Sequence, residues 1–103
     1  MLLTQLSGEA QQTAQHPWLK ATKIAEKTWR IADGDIDNIY LLEGKDSALL
    51  IDTGIGVVDL HLFIKTITSL PIIVVNTHSH PDHSGRNNQF KKVYAHPAGF
   101  VML

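Results

Sequence analysis

His78-Ser79-His80-Pro81-Asp82-His83 sets three imidazoles and one carboxylate within six residues. These are the ligand types that a hard-to-borderline divalent ion takes, nitrogen with one oxygen. If each specified residue occurs at a few per cent, a chain of this length shows the pattern by chance on the order of once in ten thousand. The spacing also has physical sense. In an extended segment the side chains at i and i+2 point the same way, so His78 and His80 can share one ion. Pro81 biases His80 toward the extended region and removes a backbone donor, so the chain leaves a strand and turns. Asp82 and His83 are then carried round to the other side of the same cavity. The competing explanation is a surface histidine cluster, or histidines that merely cap the turn.

The motif needs a frame, and the flanking sequence supplies one. It follows Ile72-Ile73-Val74-Val75, a β-branched run of the kind found in central strands covered on both faces. Upstream, Ser47 to Ile51 is a second apolar strand, ending in Asp52-Thr53-Gly54. Between them Val57, Leu60, Ile64 and Ile67 recur at three- and four-residue steps, which predicts a helix from about Val57 to Ile67 laid on a sheet. Asp59 in its first turn and Lys65 near its end both suit the helix dipole. Trp29-Arg30-Ile31 alternates as a strand, Asp33-Gly34-Asp35 signals a turn, and Asn38 to Leu42 reads as the next strand. Glu43-Gly44-Lys45-Asp46 reads as a tight hairpin turn in which Gly44 supplies any position with positive φ. Beyond the motif, Gly85 to Phe90 is expected to be a short helix, Lys92 to Ala95 a last strand, and Pro97 to Leu103 the start of another helix. Residues 9–16 are polar and are expected to form a loose leader or a short helix ended by Pro17, with β pattern only from Thr22.

At these residues the chain resembles the metallo-β-lactamase superfamily of metal-dependent hydrolases. Thr77-His78-Ser79-His80-Pro81-Asp82-His83-Ser84-Gly85 is similar to the family signature His-x-His-x-Asp-His after a buried strand, and Leu49-Leu50-Ile51-Asp52-Thr53-Gly54 to its earlier landmark. The resemblance covers roughly residues 22–100. There is one departure: the family usually carries Gly-Gly after the motif, and here the second position is Arg86. The resemblance implies an α/β (α+β) fold, half of an αββα sandwich, with one mixed β-sheet and helices on one face. It also implies His78 and His80 as ligands of one metal, and Asp82 and His83 as ligands of its neighbour. Zinc is the expected metal, two ions per complete site, with iron or manganese as substitutes. Asp82 is the implied proton acceptor during hydrolysis. A single closed zinc site using all four residues is the rival geometry.

With 103 residues the chain is one domain or part of one. Family domains are longer, and their remaining ligands, a His, a bridging Asp and a last His, come from a second half. The expected organisation is therefore residues 1–21 as leader and 22–103 as the amino-terminal half of such a domain, with the carboxyl-terminal half absent. A hydrophobic content of 44% with 18% charged residues is ordinary for a globular protein. The net charge of −1 leaves no electrostatic footprint for nucleic acid or an anionic membrane. There is no cysteine, which excludes disulfides and thiolate zinc sites. Residues 1–20 lack the basic start and continuous apolar core of a signal peptide, and no segment reaches the length of a membrane span. Cytoplasm is the default expectation.

Asp52, at the end of a buried strand, is the candidate partner for a ring proton of a ligand histidine; alternatively it bonds only loop amides. His61 reads as a half-exposed helix position, His16 as solvated, and His96 as a residue ending the last strand near the rim, with substitution for a missing ligand only the lesser alternative. Trp18 and Trp29 read as packing residues. Two functions follow. The first is metal-assisted hydrolysis of an ester, thioester, lactone, amide or phosphoester of a small-molecule substrate, by a chain inactive on its own. The second is a non-catalytic metal-binding or self-assembling half-domain, two copies closing into a homodimer through the exposed sheet face.

Overall fold

Alternating apolar and polar side chains divide one β-sheet into two unlike faces. The computed structural model describes residues 13–55, 58–77 and 84–95. Within them the strands are β1 (Thr13–Gln15), β2 (Leu19–Ala25), β3 (Thr28–Asp33), β4 (Asp37–Glu43), β5 (Ala48–Ile51), β6 (Ile72–Asn76) and β7 (Lys92–Ala95). They lie side by side in chain order as a seven-stranded sheet. The pairs from β1 to β5 are antiparallel, and β5, β6 and β7 are parallel, so the sheet is mixed. The helix α1 (Leu60–Ile64) supplies the crossover between β5 and β6, and a 3-10 turn (Asn87–Gln89) precedes β7.

The registers place Leu19, Ala21, Trp29, Ile31, Ile39, Leu41, Ala48, Leu50 and Val74 on one face, and all are buried. Leu60, Phe63 and Ile64 of α1 join the same core. Each such aliphatic or aromatic side chain contributes roughly 1.5–3 kcal/mol, so this layer fixes where the strand ends stand. The opposite face is split. Toward β4, β5 and β6 it carries half-buried or exposed Tyr40, Leu42, Leu49, Ile51, Ile73 and Val75, whereas Lys20 and Arg30 make the β2–β3 side polar.

Several expectations are corrected. The segment expected to be a loose leader or short helix is already sheet from Thr13, and Leu19 and Ala21 are fully buried while Lys20 between them is exposed. Backbone pairing Thr13↔Thr22 to Gln15↔Lys20 asks nothing of the polar side chains, and Pro17 falls in the link between two strands. The helix is shorter than Val57 to Ile67. Asp59 stands outside it as its N-cap, accepting the amide of Leu62 at 2.9 Å. After Ile64 the chain tightens into turns: Thr66 N–H bonds Phe63 C=O, Ile67 N–H bonds Ile64 C=O, and the Thr66 hydroxyl donates to the same Phe63 carbonyl. The stretch expected as a helix from Gly85 to Phe90 narrows to the 3-10 turn. Gly44 is not at positive φ; its amide bonds Ser47 C=O at 2.8 Å, and a Cβ would stand 2.8 Å from that oxygen, so close approach is what requires glycine. No helix of the described residues is long and apolar enough to cross a membrane.

Candidate functional site

Strand direction brings the chemistry to one end of the sheet. Because β5, β6 and β7 are parallel and β3 runs the same way two strands across, Asp33, Ile51, Asn76 and Ala95 all end strands at the same edge. Asp52-Thr53-Gly54 follows β5 there, and Thr77 follows β6 as the last described residue before the motif.

Asp52 is buried and sits in the left-handed region at φ +70°. Asp tolerates that conformation better than most residues, and such positions persist where the surroundings over-determine them. Its carboxylate accepts two bonds from Thr77: the amide donates to Oδ1 and the hydroxyl to Oδ2, each at 2.7 Å. These are charge-assisted and short, so the residue next to His78 is fixed to the end of the neighbouring strand.

The downstream flank is held by Arg86, which is fully buried. Its guanidinium meets Asp33 through two bonds, Nη1 to Oδ2 at 3.1 Å and Nη2 to Oδ1 at 2.9 Å, with both side chains fully buried. Nη1 also donates to Thr53 C=O at 2.8 Å and Nε to Val58 C=O at 2.6 Å. Asp33 accepts in addition the indole N–H of Trp18 at 2.7 Å and the amide of Ile55 at 2.9 Å. Burial alone would raise the Asp33 carboxyl; the bonds from Arg86, Ile55 and Trp18 outweigh it and hold the group below its ordinary value.

Two further links join the flanks. Arg86 N–H donates to the Thr53 hydroxyl at 3.0 Å, that hydroxyl donates to Asn87 Oδ1 at 2.9 Å, and Asn87 Nδ2 donates to Asn76 Oδ1 at 2.7 Å. Gly85 N–H bonds Gly54 C=O at 2.7 Å. Neither glycine leaves room for a side chain: a Cβ on Gly54 would collide with Asp33 Oδ2, and one on Gly85 would stand 2.6 Å from Gly54 O.

Of the residues expected in the site, Asp52 is described, and it is bonded to Thr77 directly before the motif. His78, His80, Asp82 and His83 lie outside the described residues, as does His96. Among the described residues no three His, Asp or Glu side chains converge on a metal-sized site. His61 is half-buried with its ring against Phe90 at 5.3 Å, and exposed His16 accepts the Trp18 amide at Nδ1. Trp29 packs in the core and donates to Glu43. Sequence reasoning missed Asp33, taken there for a turn residue, and the role of Arg86. The one signal was the arginine itself, a bulky cation where a second glycine is usual. A cleft of about 590 Å³ opens at the same sheet edge, lined by Trp18, Gly34 and Ile36 among others.

The strand ending in Asp-Thr-Gly is thus tied through the Asp52 carboxylate to Thr77, the residue directly before the His-x-His-x-Asp-His segment. The family model of the metallo-beta-lactamase superfamily matches residues 32–101, and the chain belongs to that superfamily. It is 34% identical over 79 residues to the acyl-coenzyme A thioesterase MBLAC2 of Gallus gallus, covering 68% of this chain and 28% of that protein. It is also 34% identical over 77 residues to the proteins of the same name from Bos taurus and Homo sapiens, covering 63% of this chain and 28% of each relative. The match thus covers well under two thirds of these curated relatives. No solved structure matches the chain.

Proposed function

We propose that this chain supplies the amino-terminal part of a metal-dependent hydrolase, with residues 22–103 as half of an αββα sandwich whose helices lie on one face. The observation that carries the reading is the Asp52 carboxylate, which accepts both the amide and the hydroxyl of Thr77 directly before the motif. In this reading His78 and His80 hold one ion, and Asp82 and His83 hold its neighbour. The donor set of imidazoles with a carboxylate fits zinc, with iron or manganese as substitutes. When bound, the metal supplies Lewis acidity toward a substrate oxygen and lowers the pKa of water. The residues of this chain do the rest: Asp52 orients the start of the motif, as carboxylates beside ligand histidines commonly do, and Asp82 takes up a proton.

The names of the relatives favour a thioester among the ester, thioester, lactone, amide and phosphoester substrates open to such a site. Cytoplasm is the proposed compartment, and a small molecule rather than nucleic acid or membrane the proposed partner. Since the ligands of a second half are not among these residues, the isolated chain is proposed to be nearly inactive; a misplacement of about 1 Å can cost about a hundredfold in rate. The zinc-loaded chain is to be assayed against an acyl-coenzyme A thioester, an aryl ester and a β-lactam. The reading expects turnover close to the uncatalysed rate on all three. Robust turnover abolished by His80→Ala would overturn the inactive half-site, and robust turnover indifferent to chelator would overturn the metal-dependent chemistry.

A second reading, a non-catalytic metal-binding or self-assembling module, draws on the apolar side chains of the open sheet face, among them Leu42, Leu49 and Ile73. A second copy packed sheet to sheet would cover them in an isologous contact.

A further inference from the structure

We propose that the buried Asp33–Arg86 pair is a positioning device that sets where the downstream flank of the metal motif stands relative to its upstream flank. The proposal deepens the metal-site reading and rests on it. Arg86 is three residues beyond His83, and Thr77 is one residue before His78. Asp52 anchors the upstream flank; nothing in that contact fixes the other. Arg86 does so by reaching back across the strand ends to Asp33, Thr53 and Val58 at 2.6–3.1 Å.

Three observations favour positioning over general reinforcement. First, a buried ion pair adds little net stability compared with apolar side chains of similar volume, so its distinguishing contribution here is a fixed geometry. The planar guanidinium fork, meeting the carboxylate through two bonds, restricts the relative orientation of the two side chains. Second, the surroundings are shaped for that arrangement: a Cβ on Gly54 would collide with Asp33 Oδ2 and press on Arg86 Nη1. Third, the pair is connected to both flanks. The Arg86 amide reaches the Thr53 hydroxyl, and Asn87 continues from there to Asn76 at the end of β6, one residue before Thr77. Asp33 and Arg86 are positioning residues in this scheme and touch no substrate.

The test uses the whole chain carrying Asp33→Asn, Arg86→Lys or Arg86→Met, with two readouts. In the metal-free protein, amide hydrogen exchange is followed at Gly85 and Arg86, and at Ile31, Ile39 and Leu50 as controls. In the metal-loaded protein, zinc affinity and the visible absorption spectrum of the cobalt(II) form are recorded. The proposal expects exchange at Gly85 and Arg86 to rise at least about tenfold more than at the controls, whose own rise measures any loss of global stability. It expects zinc affinity to fall about 10–100-fold, the range typical of outer contacts to a metal site, with a changed cobalt spectrum. Arg86→Lys keeps the charge but loses the fork, and is expected to fall between wild type and Arg86→Met. Exchange rising equally across the sheet, or local loosening with unchanged zinc affinity and spectrum, would overturn it. Arg86→Met can fail to fold; if Asp33→Asn and Arg86→Lys fail as well, the pair is a strut for the whole sheet and the proposal falls. A wild-type chain that takes up no zinc would sink the proposed function instead, and the exchange readout would still decide whether the pair holds the flank.

Discussion

Replacing Asp52 separates two effects that the structure combines at one residue, a pair of charge-assisted bonds and a left-handed backbone. In Asp52→Ala both bonds from Thr77 are lost. Bonds to a charged group contribute about 1.5–3 kcal/mol each, but Thr77 is exposed and water can replace part of what it loses, so about 2 kcal/mol in total is expected from them. Alanine at φ +70° adds about 1–2 kcal/mol of backbone strain. The expected destabilisation is therefore about 3–4 kcal/mol. Asp52→Gly loses the same bonds without the strain, and after its extra unfolded-state entropy it should be about 0.5–1 kcal/mol more stable than Asp52→Ala. Asp52→Asn keeps an acceptor for the Thr77 amide, tolerates the left-handed region and should cost about 1 kcal/mol. Urea unfolding followed by circular dichroism, with slopes compared across the set, measures all three. A glycine variant no more stable than the alanine variant would refute the strain argument. An alanine variant within about 0.5 kcal/mol of wild type would refute the assignment of Asp52 as the anchor of Thr77, since surface-type effects are of that size.

The Asp33 carboxyl is held below its ordinary value, so its contribution to stability is fully present above the unfolded value of about 3.9 and is lost as pH falls through the lower folded value. Urea midpoints from pH 7 down to the acid limit should thus fall more steeply for wild type than for Asp33→Asn below about pH 4, and parallel curves would contradict this. The apolar part of the open sheet face should drive self-association, so light scattering at micromolar concentration is expected to give a dimer or larger species. A monodisperse, cooperatively melting monomer of 11.4 kDa would contradict it.

The frame around the motif was legible because its signals are local. β-branched Ile72 to Val75 and apolar Ala48 to Ile51 specify strands, though only one face of each is buried, and the Asp-Thr-Gly and His-rich segments mark their ends. What escaped depended on partners remote in the chain. Strand β1 has no alternating pattern of its own and exists because β2 offers an edge to pair with. The Asp33–Arg86 bond joins positions 53 residues apart, and Asp33-Gly34 looks like any turn until the arginine arrives. The helix was overcalled because the apolar period continues to Ile67 although the helical backbone does not; Ile67 still packs against the core from a turn. For Asp52, the bonds from the Thr77 amide and hydroxyl fit the loop-bonding alternative, while the expected contact with a ligand histidine falls on residues outside the described ones.

The central claim is that His78, His80, Asp82 and His83 bind metal as part of an open site whose approach is set by Asp52. Zinc calorimetry on the chelator-stripped chain tests it most directly, with wild type compared against His78→Ala, His80→Ala, Asp82→Ala and His83→Ala. The account predicts binding that is measurable but far weaker than the roughly 10–16 kcal/mol of a closed structural zinc site, and weakened further by each substitution. No zinc uptake by wild type, or tight binding indifferent to His78→Ala, would contradict it.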